Sequence, residues 1–209
     1  MARCREVEER ATQTLAWAQR HLGLLDVALD HLTLGRAALY RVVLSGYAGQ
    51  KGTVPLSRGE EEMERDKAGQ KGTVPFSLRE NWDSPLQAAR RELAAAVDGL
   101  RDAGRQDHLP RGLLSRAWLG WLKGEDEQAR ADLDEAWQIA ERGSMRLFMA
   151  DVLLHRARCF AAGPDRARAL DDVAQARRLI DQCGYHRRDA ELAVAEAALG
   201  EGRGVDSSQ

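Results

Sequence analysis

Apolar residues along the chain recur three and four positions apart, the spacing that lines one face of an α-helix, and almost nowhere in strict alternation. Glycines and prolines punctuate the pattern at Gly23, Gly104 with Pro110, Gly124, Gly143, Gly163-Pro164 and Gly184. Between these breaks the spacing predicts helices over 4–21, 24–45, 85–103, 110–122, 125–142, 146–161, 164–183 and 185–200. Acidic residues follow several breaks, as in Glu125-Asp126-Glu127 and Asp165, where carboxylates favour a helix N-terminus.

The helices are copies of one another. Ala89, Leu93 and Ala96 return as Ala129, Leu133 and Ala136, then as Ala169, Val173 and Ala176, each step being 40 residues. A preceding helix repeats in the same register, Leu113-Leu114-Ser115-Arg116-Ala117 becoming Leu153-Leu154-His155-Arg156-Ala157. Small, large and small residues four and then three positions apart make one narrow stripe, and the alanines let a neighbouring helix come close. Leu34-Gly35-Arg36-Ala37 lies 80 residues before Leu114-Ser115-Arg116-Ala117, and Ala11, Leu15 and Ala18 reproduce the second-helix triplet ahead of it.

A duplicated segment accounts for the extra period. AGQKGTVPLS at 48–57 returns as AGQKGTVPFS at 68–77, nine identities in ten at a spacing of 20. Its glycines and prolines oppose helix, so 46–84 reads as a flexible loop inserted at a surface turn, with a small hairpin as the alternative. Four regions follow: helices in 1–45, the insert 46–84, helical repeats in 85–200, and a disordered tail 201–209. The first helix has a second-helix triplet without its first helix, and 189–199 reads as a first helix without its second. Either atypical capping helices occupy these positions or the chain is a piece of a longer one.

Helix pairs with Ala117/Ala129/Leu133/Ala136 and Ala157/Ala169/Val173/Ala176, and with Gly35 or Ala37 in the interrupted unit, resemble tetratricopeptide repeats. The resemblance covers nearly all of the chain outside the insert. LPRGLLSRAWLGWLKGEDEQARADLDEAW is also similar to the repeat arrays of bacterial multidomain signalling proteins. The usual period is about 34 residues, so 40 implies longer helices or turns. The family's first-helix tyrosine and second-helix proline are absent or shifted.

The resemblance implies an all-α fold, a right-handed superhelical solenoid of antiparallel helix pairs whose first helices line a concave face. In that register the partner-binding candidates are His31, Arg41, Arg111, Leu114, Trp118, Trp121, Leu122, Asp151, Leu154 and Arg158. Trp118 and Trp121 stand three apart on one face, and Trp and Arg are enriched in binding hot spots. Packing between helices is the competing reading for both tryptophans. Trp137, beside Ala136, is assigned to the core. Arg36, Arg116 and Arg156 would reach either a partner's carboxylates or acidic residues of neighbouring repeats.

Composition agrees with the helical reading: 33 Ala and 27 Leu stand against 11 Val and 2 Ile. With 31 Lys and Arg against 33 Asp and Glu, the net charge is −2 and the pI near 6.2. Such a balance argues against a nucleic-acid binder. There is no secretory leader pattern and no membrane-spanning stretch. Cys4, Cys159 and Cys183 form no C-x-x-C pair, which fits reduced thiols in a cytoplasm, with Cys159 and Cys183 as small buried hydrophobes.

Chemistry-bearing motifs are missing. Nucleotide-binding, zinc-protease, hydrolase and Ca²⁺-loop spacings do not occur. QKGT puts Lys51 before Gly52 with no strand ahead of it, which a phosphate loop cannot use. Cys183 and His186 give two ligands where structural zinc needs four. The carboxylate clusters Asp132/Asp134/Glu135 and Asp171/Asp172, together with Glu127/Arg130, Arg168/Asp172 and Asp172/Arg177, read as a solvated, salt-linked face. The expectation is a non-enzymatic scaffold without cofactor or metal that binds a protein or peptide segment. The alternative is a sensor or regulatory arm, or a fragment, of a nucleotide-dependent bacterial signalling protein.

Overall fold

A computed structural model describes residues 2–47, 76–160 and 165–201, with the backbone alone described for 46–47, 76–84 and 201. These residues are all-α. Eight α-helices are described: α1 (Ala2–His21), α2 (Leu24–Tyr47), α3 (Phe76–Asp102), α4 (Leu109–Lys123), α5 (Asp126–Arg142), α6 (Arg146–Phe160), α7 (Arg166–Cys183) and α8 (Asp189–Glu201). A 3₁₀ turn, His186–Arg188, precedes α8. It takes up the residues with which a helix from 185 was expected to begin. Residues 48–75 of the insert and the tail 202–209 lie outside the described residues.

The largest departure from the expected ranges is at α3, which starts at Phe76, inside the expected loop, and runs through Pro85. A proline deletes one backbone donor and clashes with the preceding turn, which is why periodicity alone ends the helix there. The nine residues before it, Phe76 to Ser84, contain no glycine and continue the helix. At the turn after α4, Gly124 takes φ 77°, and its N–H reaches the carbonyls of Gly120 and Trp121. That left-handed cap costs a glycine nothing and ends the helix where expected.

The described helices fall into two compact units, one running from α1 to Asp132 and the other from Leu133 to α8. In the first, α2 packs most extensively on α3, α1 lies on α2, α3 lies on α4, and α2 also reaches α4. Its core gathers Leu32, Ala38 and Leu39 of α2, Ala89, Leu93 and Ala96 of α3, and Leu119 of α4. In the second, α6 packs on α7, α7 on α8, and α6 also reaches α8. There Ala150, Leu153, Leu154 and Ala157 meet Ala169, Val173, Ala176 and Ile180, closed by Leu192, Ala195 and Leu199.

All nine residues of the repeated triplet are buried, Ala89, Leu93, Ala96, Ala129, Ala136 and Ala176 fully. Short side chains on the stripe let helix axes approach, and the single large member fills the space between them. The tightest approach is at Gly35, where a Cβ would lie 2.7 Å from Leu93 Cγ and 3.0 Å from Leu93 N. Each fully buried leucine contributes about 1.5–3 kcal/mol relative to an exposed one.

A second 40-residue rhythm is electrostatic. Glu92, Asp132 and Asp172 each precede the large member of a triplet and so share its inward side. Asp132 is 1% exposed and Asp172 6%, which corrects the expectation of a solvated face for these two, whereas Asp134 and Asp171 are exposed. Arg116 donates to both Asp132 oxygens, Nε at 2.8 Å and Nη2 at 2.7 Å, and Gln128 adds a third bond at 3.0 Å. Glu92 meets His31 Nδ1 at 2.7 Å. Arg156 bonds Asp134 at 2.6 Å, and its charge also acts on Asp172. Arg36 donates to Ser115 Oγ at 2.8 Å and to the Arg111 carbonyl at 3.1 Å. The recurring arginines are therefore engaged inside the protein. Arg177, expected beside Asp172, lies five positions on and turns instead to Glu196, its Nε at 2.8 Å.

Two sets of substitutions test this account. Gly35→Ala gains about 1 kcal/mol of helix propensity but overpacks Leu93, for a net loss of about 1–2 kcal/mol. Gly23→Ala, with nothing within 4 Å, leaves the denaturation midpoint unchanged or slightly raised. Arg116→Ala strands the buried Asp132 charge and costs about 3–5 kcal/mol. Asp132→Ala costs about half as much, because Arg116, 22% exposed, still reaches water. Urea unfolding of the four variants measures both contrasts.

Candidate functional site

On α4, Leu113, Leu114, Ser115 and Ala117 turn inward, while Trp118, Trp121 and Leu122 reach the surface in part. Trp118 is half-buried against the α2–α3 core cluster, and its ring meets Tyr40 of α2 edge-on, centroids 5.5 Å apart at 72°. Such pairs add about 0.5–1.5 kcal/mol beyond the area they bury, so this one fastens α2 to α4. Tyr40 is nevertheless 48% exposed and Leu44, one turn on, 43%. Leu122, one turn beyond Trp118, is 37% exposed. Exposed apolar residues on neighbouring helices, Tyr40 and Leu44 on one and Leu122 on the other, are thus linked through one aromatic contact.

The remaining candidates of this unit have identifiable work. His31 holds Glu92, and Arg41 donates to Glu8 of α1 at 2.7 Å. Leu114, 5% exposed, belongs to the packing rather than to the surface. Arg111 is exposed, and its carbonyl accepts from Arg36 and, at 2.9 Å, from Ser115 Oγ. Trp121 is half-buried, and its carbonyl helps to cap the turn at Gly124. An open depression of about 560 Å³ at the start of α5 is lined by Gly124, Glu125, Asp126, Glu127, Gln128 and Ala131, which supply three carboxylates and no nucleophile.

In the other unit, Leu154 is 4% exposed within the core cluster. Asp151 is covered too, and Arg188 grips it with Nε to Oδ1 at 2.8 Å and Nη2 to Oδ2 at 3.1 Å. Arg188 also holds both Glu191 oxygens, at 2.6 and 2.7 Å. Burial pushes the Asp151 carboxyl up, while Arg188 pulls it down. Arg158 is half-buried, and Trp137 is half-buried under the Arg156 guanidinium, 5.3 Å from its centroid. Of the expected surface, Trp118 and Leu122 stand together with Tyr40 and Leu44, which the sequence reading passed over. The available signal was their four-residue spacing on α2 outside the buried stripe.

Cys159 is buried, but Cys183 is exposed at the end of α7, where the chain turns away through Gly184. His186 faces Asp189 at 3.2 Å. Among the described residues no three His, Cys, Asp or Glu side chains converge as metal ligands would. No helix among them is long and apolar enough to cross a membrane. No family model, no curated protein and no solved structure matches the chain.

Asp172 gives a pH test. Burial raises its carboxyl above the ordinary value of 3.8, with Asp171 adding to the rise and Arg156 and Arg168 opposing it. A carboxyl that titrates higher in the folded state is better protonated there, so its contribution to stability falls as pH rises from about 4 through the raised value. Asp172→Asn removes that dependence. Its stability advantage over the unsubstituted chain should be small at pH 3.5 and grow to a plateau by pH 7, as read from paired thermal melts.

Proposed function

We propose that the chain is a tetratricopeptide-like solenoid of helix pairs that holds a protein or peptide segment against its first helices. The observation that carries this reading is the apolar surface of Tyr40, Leu44, Trp118 and Leu122, large side chains kept half in water on two adjoining first helices. Support for the solenoid comes from the packing within each unit. A helix packs on its successor, and first helices such as α2 and α4, or α6 and α8, also touch one another. Repeated pairs stacked side by side require that pattern.

Selection from a random peptide library tests the proposal. The expected binders carry clustered apolar residues. Leu44→Ser and Leu122→Ser alter exposed positions and should each weaken binding about tenfold, near 1.4 kcal/mol, with the thermal melt unchanged. Binders indifferent to both substitutions, or a library without binders, would overturn it.

A further inference from the structure

We propose that copies of this chain associate head to tail, α8 of one copy taking α1 of the next as the second helix that completes its pair. The inference shares the repeat register with the proposed function and makes no use of the Tyr40–Trp118 surface.

The evidence lies in one interface seen filled and unfilled. On α6, Ala150, Leu153, Leu154 and Ala157 form the side that packs on the second helix α7, and each is buried. Forty residues on, the same side of α8 is Ala190, Ala193, Val194 and Ala197, and all four are exposed, Val194 by 50%. α8 docks on its own unit with another side, Leu192, Ala195 and Leu199, which are 2–5% exposed. It therefore presents the face that receives a second helix and has none on it among the described residues.

α1 is the complementary half. It carries the second-helix triplet Ala11, Leu15 and Ala18, and among the described helices it packs on α2. In α3, α5 and α7 the residue four beyond the third triplet member is Leu100, Ala140 or Ile180, each fully buried. Its counterpart just past the end of α1, Leu22, is 46% exposed, close in sequence to Trp17 at 55% and Leu24 at 59%.

The face that α8 offers is apolar and uncharged: Glu191 and Glu196 are held within the unit by Arg188 and Arg177, and Ala190, Ala193, Val194 and Ala197 are the residues left open. A contact between two different faces of one chain is heterologous and propagates beyond a dimer.

Sedimentation velocity on the full chain, from micromolar to millimolar, tests the proposal. The average mass should rise with concentration past that of a dimer. Val194→Asp blocks one face and Leu22→Asp the other, so each alone should remain monomeric, with a helical melt confirming the fold. Their equimolar mixture should form a dimer and stop there, because each variant retains the half the other lacks. An unsubstituted chain that stays monomeric throughout, as it would if helices of a longer chain or another protein cover these faces, overturns the proposal. So does a mixture that stays monomeric, or either variant dimerising alone.

Discussion

Helices in this protein come together through side chains too small to hold them apart. At Gly35 there is no side chain at all, and the Leu93 side chain lies where a Cβ would stand. At Ala89, Ala96, Ala129, Ala136 and Ala176 a methyl group is fully covered. Close approach multiplies weak dispersion contacts along the whole stripe and lets one leucine or valine per stripe fill the gap that remains. The spacing of that stripe also fixes which residues face outward, so the arrangement of surface groups follows from where the alanines fall.

The same geometry explains the buried acids. A residue just before the large member of a triplet is carried inward with it, and there a carboxylate loses its water. Asp132 is tolerable because Arg116 and Gln128 satisfy it with three hydrogen bonds. Glu92 has His31, and Asp172 relies on the nearby charges of Arg156 and Arg168. Removing one partner of such a group costs far more than the pair itself contributes. Glu92 and Asp132 therefore bind their helices to particular neighbours, whereas the alanine stripe alone would accept many.

Much of this was legible in the sequence. A 40-residue recurrence of Ala, Leu and Ala is a statement about one face of a helix, and glycine and proline mark where a helix must stop. Helix positions and the buried stripe follow from those two rules alone. Burial of Asp132 and Asp172 was not legible, because an Arg and an Asp at helical spacing look alike on a solvated face and on a covered one. Which neighbour lies over a given position settles the matter, and that is tertiary information. The start of α3 was missed for a local reason, since Pro85 is a stop signal in a sequence and a tolerated irregularity in the fold.

The candidate surface shows the same division. Leu114 and Leu154 sit at register positions that the family resemblance assigns to a groove, yet both are covered, while Tyr40 and Leu44 are open. Leu154 and Val194 make the point within one register. They occupy equivalent places on equivalent helices, and the first is 4% exposed and the second 50%. The periodic pattern specifies a side that can receive a helix, and only the packing shows where that side is still vacant. In a chain built from one repeated interface, vacant copies of that interface are therefore where recognition is most readily located, because the chain has already shown how each is filled.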